Sequence, residues 1–254
     1  MRNEHLCVQT FQLGDKNTLA SRGSVMSRPR VIAFIGTVGS GKSTHMKILY
    51  SKLKQGGFRV RISYLKRGHL LAFLLEGLLA KMFAGKRKDV YPIRALLEER
   101  PTLLKRIFRL LLSLDLISII SKFLASIYLP SRLGYIVLVE EYIPATISDY
   151  IYLGSVINSP LKVNSFFINY LLRLTKLCGP IQIIFLDASN DELKRRWGLR
   201  GSHDERKDYL RMQRTLLLRM SGELSSYGLI YIDTGVKTLA EVQKLIMTQI
   251  LMKD

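Results

Sequence analysis

Gly36-Thr37-Val38-Gly39-Ser40-Gly41-Lys42-Ser43 fits the pattern G-x-x-x-x-G-K-[ST], a set of residue types and spacings suited to holding a chain of phosphates. Its three glycines let the backbone curl around an anion and aim N–H groups inward. Lys42 supplies a cation that can bridge the β and γ phosphates, and it opens a helix whose positive dipole end faces the same anion. Ser43, followed by Thr44, places a hydroxyl where Mg²⁺ can use it, because this hard cation prefers oxygen ligands and keeps several waters. The chemistry expected of this stretch is the binding of ATP with Mg²⁺.

Three further groups of residues could act on such a ligand. Glu140-Glu141-Tyr142 closes a run of four aliphatic residues, so Glu140 can hold a water of the metal's shell beside Ser43. Lys66 and Arg67 stand just past a second strand, where parallel sheets place ligand-binding loops, and are expected to meet substrate phosphate. Arg196 and Arg200 belong to an arginine-rich segment, residues 191–206, which can close as a lid and neutralise charge developing on a transferring phosphoryl group. The catalytic set is thus Lys42, Glu140, Arg196 and Arg200. The metal set is Ser43 with Glu140, and Lys66, Arg67, Glu141 and Tyr142 are expected on the substrate side.

The elements that must position these residues alternate along the chain. Short apolar runs at Val31-Ile35, Phe58-Tyr64, Tyr135-Val139, Ile181-Leu186 and Leu229-Asp233 read as strands. Between them lie helical patterns: 42–54 with Met46, Ile48, Leu49 and Leu53 on one side, a Leu-rich helix from His69 to Phe83, helices on either side of Pro101, then 144–157, 161–177, 204–224 and 239–252. Five strands alternating with helices predict an α/β fold, a parallel sheet with helices on both faces in a three-layer sandwich. Residues 107–128 are apolar, but Arg109, Asp115 and Lys122 interrupt them, which favours a helix covering the sheet over a membrane span.

Residues 1–29 are polar and without periodicity, which predicts a flexible N-terminal extension, and Met26 is a candidate start. The remainder, 30–254, is expected to be one phosphate-binding-loop domain, with 85–130 as a helical cap or insert. A length of 254 residues with 48% hydrophobic residues suffices for one large core. Two distant cysteines, Cys7 and Cys178, exclude a disulfide framework, and with no signal peptide in view the expected compartment is the cytoplasm. A formal net charge of +19 suits nucleic acid, an anionic membrane surface or phosphorylated substrates as partners, without choosing among them.

Taken together, the loop Phe34-Ile35-Gly36-Thr37-Val38-Gly39-Ser40-Gly41-Lys42-Ser43-Thr44 and the segment from Leu186-Asp187 to Arg200-Gly201 and Glu205 resemble the thymidylate kinase branch of the nucleoside monophosphate kinases. The resemblance spans residues 30 to 253. It implies a five-stranded sheet of order 2-3-1-4-5, ATP on the loop Gly36 to Thr44, Asp233-Thr234-Gly235 near adenine, and a homodimer. Two positions depart from that family's pattern: Val38 replaces an acidic residue, and Glu140-Glu141-Tyr142 stands where the family has Asp-Arg-Tyr or Asp-Arg-His. Glu141 would repel a dianionic monophosphate.

The reading that follows is a kinase moving the γ-phosphoryl group of ATP to a nucleotide or other small acceptor. The alternative is an ATPase or regulatory nucleotide-binding protein acting with nucleic acid or an anionic membrane surface. Because Lys42 sits in a loop, Lys42→Ala is expected to remove turnover with little loss of folding.

Overall fold

Every strand of this molecule hydrogen-bonds only in parallel, and the reason lies in the lengths between them: each connection carries at least one helix, so no two strands can form a hairpin. The computed structural model describes residues 29–68, 70–83, 92–162, 165–200 and 207–251. The expected N-terminal extension up to residue 28, His69, the basic turn at 85–91, and lid residues 201–206 with Glu205 lie outside the described residues.

Strands β1 (Val31–Gly36), β2 (Val60–Tyr64), β3 (Ile136–Glu140), β4 (Ile181–Asp187) and β5 (Leu229–Asp233) form one sheet of order β2-β3-β1-β4-β5. The central strands β1 and β4 are buried at every position, as continuous apolar runs require when both faces are covered. Alternate residues divide between two cores. Ile32, Phe34, Leu138, Ile184 and Leu186 face α1 (Lys42–Gln55) and α10 (Leu239–Leu251), through Met46, Leu49, Leu53, Val242 and Ile246. Val31, Ala33, Ile35, Val139, Ile183 and Phe185 face the larger core, filled from α4 (Pro101–Phe123), α6 (Ile143–Val156), α7 (Phe166–Leu177) and α9 (Lys207–Leu224). This is the three-layer sandwich that the alternation of elements predicts.

Helix α2 (Leu70–Phe83) and α3 (Pro92–Glu99) pack beside α4 at the β2 edge. Helix α4 continues through a π turn at Leu124–Tyr128 into α5 (Leu129–Arg132), the widening falling just ahead of Pro130, which has no N–H to donate. The stretch Pro101–Arg132 is long and apolar enough to cross a membrane by length and composition. Here Leu104, Phe108, Leu111, Ile119, Phe123 and Ile127 are instead buried in the larger core.

Two of the boundaries that differ from the sequence reading have a plain local cause. Helix α7 starts at Phe166 rather than at 161, because Ser165 caps it by accepting from the Ile168 N–H. Strand β2 starts at Val60 rather than Phe58, whose N–H instead donates to Leu53 O and closes the end of α1. Helix α8 (Asn190–Leu199) is capped by Ser189 in the same way as α7, and carries the arginine cluster across from the glycine loop.

Candidate functional site

The loop from Gly36 to Gly41 joins β1 to α1 at the carboxyl edge of the sheet, and its glycines are dictated by space. At Gly36, φ is +148° and a Cβ would lie 1.9 Å from the Leu186 carbonyl oxygen. At Gly39, φ is +89° and a Cβ would come within 2.7 Å of Trp197 Nε1. The loop's carbonyls are held from outside. Trp197 Nε1–H donates to Val38 O at 3.1 Å, and Arg196 donates to Gly39 O at 3.2 Å. Thr234 Oγ1 lies 3.1 Å from Ser40 O. Helix α1 begins without a side-chain cap, so its first-turn amides are left to the cavity in front of it.

Lys42 is 6% exposed, and its ammonium lies 3.0 Å from Gly36 O, 2.9 Å from Thr37 O and 3.1 Å from the Glu141 carboxylate. Ser43 Oγ donates to Glu140 Oε1. A hydroxyl and a carboxylate converging at the mouth of a phosphate loop form the oxygen donor set that Mg²⁺ takes, completed by phosphate and water oxygens rather than by a dense protein cage. No group of three or more His, Cys, Asp or Glu side chains gathers among the described residues.

In front of the loop lies a cavity of about 730 Å³ that runs from Gly39, Lys42 and Thr44 past Glu140 and Glu141 to Lys66, Arg67 and Arg200. Its volume falls in the range of small-molecule sites. Lys66 and Arg67 arrive there as expected, but both are already paired. Lys66 Nζ and Arg67 Nε each lie 3.6 Å from Asp149 Oδ2, and Arg67 Nη1 is 3.8 Å from Glu76 Oε1. Asp149 also accepts from Tyr209 Oη at 2.7 Å, and Asp115 holds the following Gly68 N–H at 3.0 Å and Tyr150 Oη at 2.6 Å. Asp149 holds Lys66 well above the ordinary lysine range, against the pull of burial.

Three expected site groups do not border this cavity. Tyr142 is fully buried in the core below β3 and does not border the cavity. The side chain following the strand tip alternates away from Glu141, and an aromatic ring there fills space under the sheet. Arg196 does not border the cavity either: its guanidinium is engaged by Glu192 Oε1 at 2.8 Å, Gly39 O at 3.2 Å, Thr234 Oγ1 at 3.0 Å and Thr234 O at 2.7 Å. It braces the loop from behind. Thr234 is buried in that brace, between Asp187 O and Ser40 O, while Asp233 Oδ1 accepts from the Gly235 N–H. Arg200, by contrast, is exposed at the cavity rim.

Sequence reasoning gave no place in the site to Asp187, Glu76, Asp115, Asp149 or Trp197. Asp187 accepts from Thr37 Oγ1 at 3.1 Å and lies 2.7 Å from Arg214 Nε, fixing the start of the loop. A lone carboxylate inside an otherwise apolar helix was the available signal for Asp115, Asp149 and Glu76, since a buried charge survives only with partners.

Burial pushes the Glu76 carboxyl up to about 7, with Asp115 adding to the rise and Arg67 opposing it. The folded protein therefore holds a proton there that an unfolded chain, with a value near 4.5, has released. Stability from this group is full below about 4.5 and is lost as pH rises through about 7. At about 1.4 kcal/mol per unit, the effect is capped at roughly 3 kcal/mol. Denaturant midpoints measured from pH 5 to 8 should fall across this window, and Glu76→Gln should flatten that slope; an unchanged slope in the variant would show that Glu76 is not its source.

No family model and no curated protein matches the sequence. Among solved structures, a thymidylate kinase from Candida albicans is 17% identical, aligned over 86% of this chain and 89% of its own, with a TM-score of 0.49. A thymidylate kinase from Ehrlichia chaffeensis is 15% identical, over 87% of this chain and 97% of its own, with a TM-score of 0.45.

Proposed function

We propose that this protein is a Mg²⁺-dependent phosphotransferase that binds ATP on the loop Gly36 to Thr44 and moves its γ-phosphoryl group to a small acceptor in the adjoining cavity. The observation that carries the reading is the shared space: Lys42, the Ser43–Glu140 pair, Arg200 and the Lys66–Arg67 cluster border one cavity. A protein that only hydrolyses or senses nucleotide has no need of a second, walled compartment opposite the γ-phosphate position.

The residues divide the work by position. Loop amides and the start of α1 hold the phosphates, and Lys42 turns from Glu141 toward the bridging oxygens. Ser43 and Glu140 would hold Mg²⁺, which supplies neutralisation of β and γ oxygens. Arg200 stands at the rim to meet the equatorial oxygens of the transferring group. The walls from α3 and α6 exclude water from the acceptor.

Trp197 is the single tryptophan and its indole N–H holds the phosphate loop, so its fluorescence reports the loop directly. Titration with Mg·ATP should give a saturable change that Ser43→Ala weakens, and product-resolved assays should show phosphoryl transfer to an added acceptor. A folded protein whose Trp197 emission and calorimetry both show no binding of Mg·ATP would end this reading.

A further inference from the structure

Glu141 occupies the point where the phosphate loop meets the acceptor half of the cavity, and its carboxylate is incompletely used. Its side chain is 8% exposed. One face of the carboxylate meets Lys42 at 3.1 Å, while Oε2 is buried and has no hydrogen-bond partner among the described residues. The residue is held at φ +60°, in the left-handed region that a glutamate rarely adopts, with its N–H donating to Phe34 O at 3.1 Å. Strain of this kind persists where the surrounding fold fixes a side chain for a task.

Beyond Glu141, the cavity offers little to a dianion. Lys66 and Arg67 are compensated by Asp149 and Glu76, and Arg94 is paired with Glu98 at 3.2 Å. A monophosphate placed there would have to break these pairs and face Glu141, a repulsion on the order of a thousandfold in affinity at a few ångströms. The remaining wall is apolar and aromatic, from Phe73, Leu97, Tyr152 and Leu153. Such a surface suits the flat or apolar body of a neutral molecule.

The geometry points to a neutral acceptor that carries a hydroxyl on an apolar or aromatic body, with Glu141 as the catalytic base that receives the hydroxyl proton. The inference rests on the phosphotransferase reading and specifies its acceptor. In the reaction the acceptor oxygen attacks the γ-phosphorus and its proton passes to the Glu141 carboxylate, which borders the cavity. The bond from that phosphorus to the β–γ bridging oxygen breaks, and ADP leaves with the electron pair. The products are a phosphate monoester and ADP, and the proton returns to water when Glu141 is next ionised.

The test uses the full chain with saturating Mg·ATP and two sets of probes: the common ribo- and deoxyribonucleosides as neutral hydroxyl acceptors, and dTMP and UMP as monophosphates. Transfer to at least one nucleoside is expected, with higher kcat/KM than for either monophosphate. Glu141→Gln should lower kcat for that nucleoside by about 10²–10⁴-fold. Its Mg·ATP affinity should be equal or tighter, because Lys42 is released from its ion pair. Glu141→Asp, which keeps a base but shortens it, should fall between. Faster transfer to dTMP or UMP than to every nucleoside overturns the inference, as does undiminished kcat in Glu141→Gln or a protein that binds Mg·ATP yet transfers to none of the nucleosides. Failure to bind Mg·ATP at all would instead overturn the phosphotransferase reading beneath it.

Discussion

Lys42→Met is expected to abolish phosphoryl transfer and, at the same time, to destabilise the folded protein. Removing the cation that stabilises the transferring charge should reduce turnover by at least about two to three decades. The stability loss corrects the expectation from sequence that a loop lysine can be removed at little cost to folding. Lys42 is buried, and its loss would leave the Glu141 carboxylate buried at the β3 tip without its cation. Breaking one side of a buried ion pair costs about 3–5 kcal/mol. For a chain of this size, that corresponds to a fall in melting temperature on the order of 10 °C. The double variant Lys42→Met/Glu141→Gln removes both charges, so most of the lost stability should return while turnover does not. Thermal unfolding of the two single variants and the double variant measures this coupling. Additive losses would show that the two side chains do not depend on one another.

Asp115→Ala is expected to produce the second large effect, at a distance from the phosphate loop. Asp115 is fully buried in α4, where it accepts from the Gly68 N–H at 3.0 Å and from Tyr150 Oη at 2.6 Å. Its loss orphans the buried Tyr150 hydroxyl and the half-buried Gly68 N–H, at a cost of about 1–3 kcal/mol for a buried donor, and lets go of the segment that carries Lys66 and Arg67. Stability should fall by about 3–5 kcal/mol, the range for breaking a buried polar network, and the KM of the acceptor found by the transfer assay should rise. Mg·ATP affinity should hold, since the groups Asp115 is seen to hold, the Gly68 N–H and Tyr150 Oη, lie outside the loop Gly36 to Thr44. Asp115→Asn keeps an acceptor oxygen and removes the charge, so it should recover part of the stability and lower the Glu76 carboxyl from its raised value. Wild-type denaturant midpoints in Asp115→Ala, or a loss of Mg·ATP binding equal to the loss of acceptor turnover, would contradict this account.

The parts of the molecule readable from residues alone were those set by local rules. A buried parallel strand announces itself as a short apolar run, and β1, β4 and the alternating helices followed from that periodicity. The phosphate loop was readable because its glycines answer to backbone geometry: Gly36 sits against the Leu186 carbonyl, where no side chain fits. Ser43 and Glu140 could be paired because each lies at a fixed offset from a strand end, and β1 and β3 are neighbours.

Side-chain partnership across the sheet was decided only by the tertiary structure. Arg196 and Arg200 look equivalent in sequence, four residues apart on a basic helix. Only packing of α8 against the loop sends Arg196 into a brace with Gly39 and Thr234 while leaving Arg200 at the cavity rim. Lys66 and Arg67 read as free cations, yet Asp149, from a helix distant in sequence, and Glu76, from the next helix, pair with them. Periodicity places a charged residue on a face, but its electrostatic role depends on which opposite charge the fold brings within a few ångströms. Glu141 shows this most plainly: the sequence set a carboxylate at the third strand's tip, and the left-handed backbone there turned it onto Lys42 at the edge of the cavity.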